Sequence, residues 1–241
     1  MWDKPQALRQ LANALFGISL LLLLFGTVHY AVHLPSFALN AVQLTAAPQR
    51  VDAAQIEDIV RNELRGNFFT VDLEATRKAF EKLPWVRKVS VRRHFPWRLE
   101  VELEEHVALA SWNGDELVNT HGEVFAGETE QALPKFIGEA DTAAEVTKMY
   151  RAFGEQLAPL KQEVVQISLS PRRAWQLRLS NGMVLELGRE QAQERLARFV
   201  AVYPYSLASM PRTVNYVDLR YRNGFAAYLP GGMASGQAKQ S

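Results

Sequence analysis

VRKVSVRRHFPWRLEVELEE, residues 86–105, reads as two strands and a turn. Side chains alternate across a strand, so Val89 and Val91 share one face of the first segment, and Leu99, Val101 and Leu103 share one face of the second. Phe95-Pro96-Trp97 turns the chain between them. The remaining positions carry charge in blocks: Arg87, Lys88, Arg92 and Arg93 on one strand, Glu100, Glu102, Glu104 and Glu105 on its partner. Opposite charges then meet across the ladder, each pair contributing about 0.2–1 kcal/mol. A solvated, salt-bridged face follows, in which the acidic strand cancels the field a basic strand alone would offer to nucleic acid or lipid. Carboxylates in water also lack the raised pKa that a general acid needs.

Upstream of this hairpin the pattern turns helical. Asp72 is placed to cap a helix running through Phe80 and Leu83, which Leu83-Pro84 stops. Asp52 with Gln55 three residues later is a capping-box signature, followed by Ile56, Ile59, Val60 and Leu64 at helical spacing and closed by Gly66. Before it, Leu39 to Thr45 is a short apolar strand that Pro48 separates from the helix. The order is strand, helix, helix, strand, strand.

Still further upstream, no Asp, Glu, Lys or Arg stands between Arg9 and Arg50. Leu11 to Leu34 exceeds the roughly 20 residues that cross a bilayer as a helix. Lys4 and Arg9 precede this span and no positive residue closely follows it, which predicts a cytoplasmic N-terminus and an exported remainder. The competing reading is a cleaved signal peptide, with Ser36-Phe37-Ala38 as a small-x-small site. A secretory apolar core of about 7–15 residues is shorter than this one, which favours the anchor. His29 and His33 share a helical face near the far interface but have no third ligand close in sequence.

Downstream, GDELVNTHGEVF (114–125) reads as a hairpin turning near His121-Gly122. Thr142 with Glu145 suggests the cap of a helix striped by Val146, Met149, Tyr150, Phe153 and Leu157. Trp175, Leu177 and Leu179 alternate, Asn181-Gly182 turns, and Met183, Leu185 and Leu187 alternate back. Leu196, Phe199, Val200 and Tyr203 mark a further helix, stopped at Pro204. YVDLRYRNGFAAYLP (216–230) closes the pattern with a strand, an Asn223-Gly224 turn and a second strand, Phe225 to Leu229. Within its own hairpin this last strand is paired on one side only.

The chain of 241 residues has 27 Lys and Arg against 26 Asp and Glu, a net charge of +1 that gives no support to a nucleic-acid partner. It contains no cysteine, which excludes a disulfide framework, thiol catalysis and thiolate metal sites. Nucleophile elbows, phosphate loops, His-Glu-x-x-His helices and dinucleotide fingerprints are all missing from the sequence. His106, Asp115, His121 and Glu123 are a set that a hairpin could gather as a metal or acid-base site, and solvated loop positions account for each of them.

AVQLTAAPQRVDAAQIEDIV (41–60) and the run from GNFF (66) to ALASW (112) resemble the POTRA domain of the FtsQ/DivIB family of bacterial cell-division proteins. RRAWQLRLSNGMVLELGR (172–189), RLARFVAVYPYSL (195–207) and YVDLRYRNGFAA (216–227) are similar to that family's β-domain in order and spacing. The resemblance implies an α+β fold in which a transmembrane helix precedes POTRA and then a mixed domain built on an antiparallel sheet with an open C-terminal edge. The corresponding divisions are a cytoplasmic tail (1–10), transmembrane helix (11–34), POTRA (37–106), β-domain (107–230) and a disordered tail (231–241).

In function, the resemblance implies a non-enzymatic scaffold of the inner membrane at the division septum, with no cofactor and no nucleic acid. Its direct partners would be FtsB and FtsL, with FtsK, FtsW, FtsI and FtsN in the same divisome. FtsB would add a strand at Arg172, Arg220, Tyr221, Asn223, Gly224, Phe225, Ala226 and Ala227. Upstream components would meet the POTRA surface at Lys82, Arg87 and Lys88. Two alternatives are a POTRA-type chaperone or secretion module, which tandem modules or a barrel would favour, and a membrane-anchored cell-wall enzyme, which needs a nucleophile or acid-base set in a cleft.

Overall fold

A computed structural model of the chain describes residues 5–39, 41–208, 214–221 and 224–228, and divides it between Glu105 and His106 into two units. The tail expected at 231–241 lies outside the described residues. In the first unit, α1 (Pro5–Val32) contains a 25-residue stretch, Leu8–Val32, long and apolar enough to cross a membrane, and none of it is buried in a core. β1 (Ala41–Leu44), α2 (Ala53–Glu63), α3 (Leu73–Glu81), β2 (Val86–His94) and β3 (Arg98–Glu105) follow in the expected order. Asp52 accepts from Ala54 N, and Asp72 accepts from Glu74 N and Ala75 N, so both helices begin at side-chain caps.

The three strands form a sheet in the order β1-β3-β2, β3 parallel to β1 and antiparallel to β2. Val89 lies opposite Leu103 and Val91 opposite Val101, and this face packs on Ile56, Ile59, Ala79 and Phe80 of the helices. On the other face Lys88 opposes Glu104 and Arg92 opposes Glu100. Arg93 and Glu105 do not join those charge blocks, because consecutive residues cannot share a face. They sit on the helix side, one at each end of the sheet. Arg93 donates to Phe68 O and Val71 O, at 2.7 and 2.8 Å, ahead of α3. Glu105 accepts from the backbone N–H groups of Gln49, Arg50 and Val51, at 2.8–2.9 Å, ahead of α2. Burial opposes its charge, yet these three donors prevail and hold the carboxyl below its usual range.

The second unit contains β4 (Ala108–Trp112), β5 (Glu116–Asn119), β6 (Val124–Phe125), β7 (Lys135–Ile137), α4 (Ala143–Leu157), β8 (Val164–Leu169) and β9 (Trp175–Leu179). β10 (Val184–Gly188), α5 (Ala192–Val202), β11 (Tyr216–Asp218) and β12 (Ala226–Tyr228) complete it. Its sheet has the strand order β12-β11-β10-β9-β8-β7-β4-β5-β6. Every hairpin is antiparallel, as the turn residues imply, while β4–β7, β7–β8 and β10–β11 are parallel. The last two joins span α4 and α5, and a helical crossover is what returns a chain to run parallel with the strand it left. Trp112, Phe136, Phe153, Leu157, Ile167, Leu177, Leu185, Leu196 and Phe199 form the core. Of the expected α4 stripe, Val146, Phe153 and Leu157 are buried, while Met149 and Tyr150 are partly covered. Thr142 does not cap α4: it lies in a preceding 3-10 turn, with helical dihedrals and its hydroxyl donating to Glu139 O.

Candidate partner-binding edge

β12 forms one border of the nine-stranded sheet. Val184 N donates to Asn215 O and Leu219 N to Glu186 O, each at 2.9 Å, so the odd positions of β11 face β10. Alternation turns Tyr216 and Asp218 toward β12, and their register partners Tyr228 and Ala226 face back to them. The backbone N–H and C=O of Ala227 therefore point away from the sheet. Ala226, Ala227 and Tyr228 all have exposed side chains, so a further strand would meet two alanines and an uncharged aromatic there.

The sequence-expected residues lie around one end of this edge. Gly188 of β10 pairs with Trp175 of β9, and Asp218 of β11 pairs with both Glu186 and Ala226. The β8–β9 turn that carries Arg172 thus lies at the same sheet end as Arg220, Tyr221, Gly224 and Phe225. Two strand spacings separate β9 from β11, about 10 Å. Arg172 is exposed and among the described residues has no hydrogen-bond or ionic partner, whereas its neighbour Arg173 pairs with Glu145 at 2.6 Å. Tyr221 is 56% exposed. Asn223 lies outside the described residues. Phe225 does not face outward: its ring meets Phe199 edge-on at 5.9 Å and packs against the core between β12 and α5.

The Arg220 guanidinium is already engaged within the chain. Its Nε and Nη2 donate to Asp218 at 2.7–3.1 Å, and its backbone N–H is a third donor at 3.0 Å. The Arg220 guanidinium keeps the buried Asp218 carboxyl below its usual range, against the burial that opposes its charge, with Arg195 adding to the effect. Burial, followed by the charges of Glu186 and Asp218, raises the Tyr216 phenol. Asp218 and Arg195 are the members of this site that the sequence reading passed over. Two residues apart on a strand is the spacing that puts Asp218 and Arg220 on one face, so that pair was legible. Arg195 comes from α5 and donates to Leu187 O at 2.7 Å. A β-carbon on Gly188, whose φ is +74°, would lie 2.9 Å from Arg195 Nη1 and 3.0 Å from Arg220 Cγ. Glycine lets both arginines close over the end of β10.

Beside this edge a groove of ≈ 400 Å³ is lined by Arg195, Arg198, Phe199 and Val202 of α5 with Leu219, Gly224 and Phe225. Its apolar floor and cationic rim suit an apolar side chain on an acidic segment. The proposed POTRA residues are distributed differently. Lys82 follows α3 as its exposed C-cap and Lys88 is exposed on β2, while Arg87 pairs with Glu104 at 2.6 Å. His106 and Glu123 converge on Asn119, whose amide donates to both, and among the described residues no three His, Asp or Glu side chains form a metal-binding group.

Residues 37–106 match the family model for the POTRA domain, FtsQ-type, and residues 110–220 match that for Cell division protein FtsQ/DivIB, C-terminal. The chain is 44% identical over 232 residues to Cell division protein FtsQ of Nitrosospira multiformis, covering 94% of this chain and 98% of that one. It is 40% identical to the same-named protein of Burkholderia pseudomallei, with 96% and 95% covered, and 35% identical to that of Bordetella pertussis, with 95% and 93% covered.

Proposed function

Because this chain belongs to the FtsQ/DivIB family of bacterial cell-division proteins, we propose that it is a non-enzymatic scaffold of the divisome, anchored in the inner membrane by α1 and acting through exported protein–protein contacts. It links early division proteins to the late components of septal peptidoglycan synthesis. The observation that carries this reading is the outward-facing backbone of Ala227 on an exposed edge strand of uncharged residues. We assign that edge to a strand supplied by FtsB, with FtsL in the same assembly and FtsK, FtsW, FtsI and FtsN as further divisome members. The added strand satisfies the open backbone groups. Arg172 is an exposed cation for its carboxylates, Tyr221 gives a broad amphipathic contact, and the α5 groove takes a side chain.

The anchor's charge bias, Lys4 and Arg9 before the span, supports a cytoplasmic N-terminus. Alkaline phosphatase fused after Ser241 is then active, and an inactive fusion refutes the orientation. Exposed Lys82 and Lys88 support a second contact surface on POTRA for upstream components. Reversing both charges should impair midcell localisation at unchanged expression, and normal localisation would count against it. The decisive test is co-purification of the full chain with FtsB from membranes. The parent retains FtsB and Ala227→Pro does not, while both variants fractionate with the membrane. Undiminished capture by Ala227→Pro removes the edge from the assignment.

A further inference from the structure

Five aromatic rings gather where α1 ends. Trp97, in the β2–β3 turn, has its ring centroid 4.9 Å from Phe37, 5.3 Å from Phe68, 5.9 Å from Phe69 and 5.6 Å from Phe95. Its φ of +53° is a left-handed conformation that costs a bulky residue about 1–2 kcal/mol. The surrounding rings compensate, since each aromatic pair adds about 0.5–1.5 kcal/mol beyond its buried area. A core explains only part of this cluster. Phe68 is buried, but Phe95 is 72% exposed and Phe69 47% exposed. A chain that merely needed a turn between two charged strands would not leave two phenylalanines in water.

The cluster is tied to the end of the apolar helix. Asn67 Nδ2 donates to Val32 O at 2.7 Å, and Phe68 N donates to Phe37 O at 2.9 Å. Val32 is the last residue of α1. The apolar stretch Leu8–Val32 has a length of about 37 Å at 1.5 Å per residue, against roughly 30 Å of hydrocarbon, so its last turn reaches the headgroup zone. One hydrogen bond from that turn, the rings stand at the depth where aromatic belts are found. Arg92 and His94 are exposed along β2 just before Phe95, within reach of headgroup phosphates.

We propose that Phe69, Phe95 and Trp97 form a second membrane contact, inserting into the outer headgroup region of the bilayer that α1 crosses and holding the POTRA domain against the lipid surface. The occupant is lipid because the cluster is fixed to the exit of the span, where bilayer is the adjoining phase. The contact rests on α1 spanning the membrane, and its test separates the two.

The chain contains no cysteine, so single-cysteine variants of the full chain accept one environment-sensitive fluorophore each. Labels at Phe95→Cys and Lys88→Cys are compared in lipid nanodiscs containing phosphatidylcholine with a nitroxide near its headgroup, and Leu21→Cys, which lies about 16 Å deeper than Val32, is read in nanodiscs whose lipid carries the nitroxide deep in its acyl chain. Lys88 lies seven residues back along β2 from Phe95, about 23 Å at strand spacing. Quenching at Phe95 about threefold or more above that at Lys88, with Leu21 also quenched, supports the contact. Leu21 quenched with Phe95 no more quenched than Lys88 overturns it and leaves the span standing. An unquenched Leu21 overturns the span and the contact with it. As a second readout, Phe69→Asp in the Phe95-labelled chain lowers the quenching if the rings insert together, and unchanged quenching counts against the shared contact.

Discussion

The nine-stranded sheet has two borders, β6 and β12, and they are finished in opposite ways. β6 has two residues, and the hairpin that carries it is locked by Asn119, which is fully buried. Asn119 Oδ1 accepts from His121 N and Glu123 N at 2.8 and 2.9 Å, while its Nδ2 donates to Glu123 Oε2 and His106 Nδ1 at 2.6 and 2.9 Å. His106 lies flat on Phe125, ring centroids 4.1 Å apart. At the other border, β12 contributes three exposed residues with neither charge nor proline among them. Shortness and a saturated polar network blunt a sheet edge, whereas a strand without charge or proline keeps it available for pairing. The difference separates a border closed by side-chain bonds from one that, among the described residues, leaves a backbone row unpaired.

Proline substitution at β12 tests this most sharply. Ala227→Pro should lower affinity for an added strand about a hundredfold, near 3 kcal/mol, with the thermal midpoint of the protein unchanged. Ala226→Pro should act on the fold instead, breaking the bond to Asp218 and loosening β12 from β11 by about 1–3 kcal/mol. Binding measured by calorimetry and stability measured by thermal melting give a crossed pattern. If both variants lose binding equally at equal stability, the inward and outward assignment of these two residues is wrong.

At the blunted border the prediction concerns stability alone. Asn119→Ala leaves the His121 and Glu123 N–H groups without their acceptor and should cost about 2 kcal/mol in urea unfolding. Partner affinity, read at the opposite border, should stay at the parent level. A cost below about 0.5 kcal/mol would mean the network does not close β6.

How much of this was legible in the sequence depends on the range of the physics. Asp52 and Asp72 cap their helices through bonds two or three residues away, and the β2–β3 alternation is equally local, so both were readable. The charge blocks place Arg93 and Glu105 with their charged neighbours, although strict alternation forbids it. Their backbone acceptors and donors lie 22 to 25 and 54 to 56 residues away in the chain, beyond any sequence window. The parallel joins also escaped, because turn residues specify hairpins but do not say where a helical crossover returns. At the edge, Phe225 reads as an outward residue of the last strand. Its inward position depends on Phe199, on a helix that the local pattern cannot place.

Acid should also distinguish the borders. Because Arg220 depresses the Asp218 carboxyl, its stabilising contribution is fully present above the unfolded carboxylate value of 3.8 and is lost as pH falls through the lower folded value. The difference in melting temperature between parent and Asp218→Asn should therefore be largest near pH 7 and should close below about pH 4. Asn119→Ala removes, besides its bonds to Glu123 and His106, two bonds to backbone N–H groups that do not titrate, so a gap from the parent should persist in acid. A parent–Asp218→Asn gap that widened toward acid would reverse the sign and contradict the pairing.

The smallest expected effect is at Arg172. Arg220 is occupied by Asp218 and Arg173 by Glu145, whereas Arg172, among the described residues, is a cation at this end of the sheet without a partner inside the chain. Its exposure limits what one such contact is worth, since solvent screens it and ordering the side chain costs entropy. Arg172→Glu should weaken binding of an acidic added strand by about 1 kcal/mol, roughly fivefold, without changing the melting temperature. The loss should shrink as salt is raised, because the Debye length falls from about 10 Å at 0.1 M to about 3 Å at 1 M. Ala227→Pro removes a backbone bond and should be nearly insensitive to the same salt series. Parallel salt responses in the two variants would show that Arg172 does not act by charge, leaving recognition at this border to the backbone row and the groove beside α5.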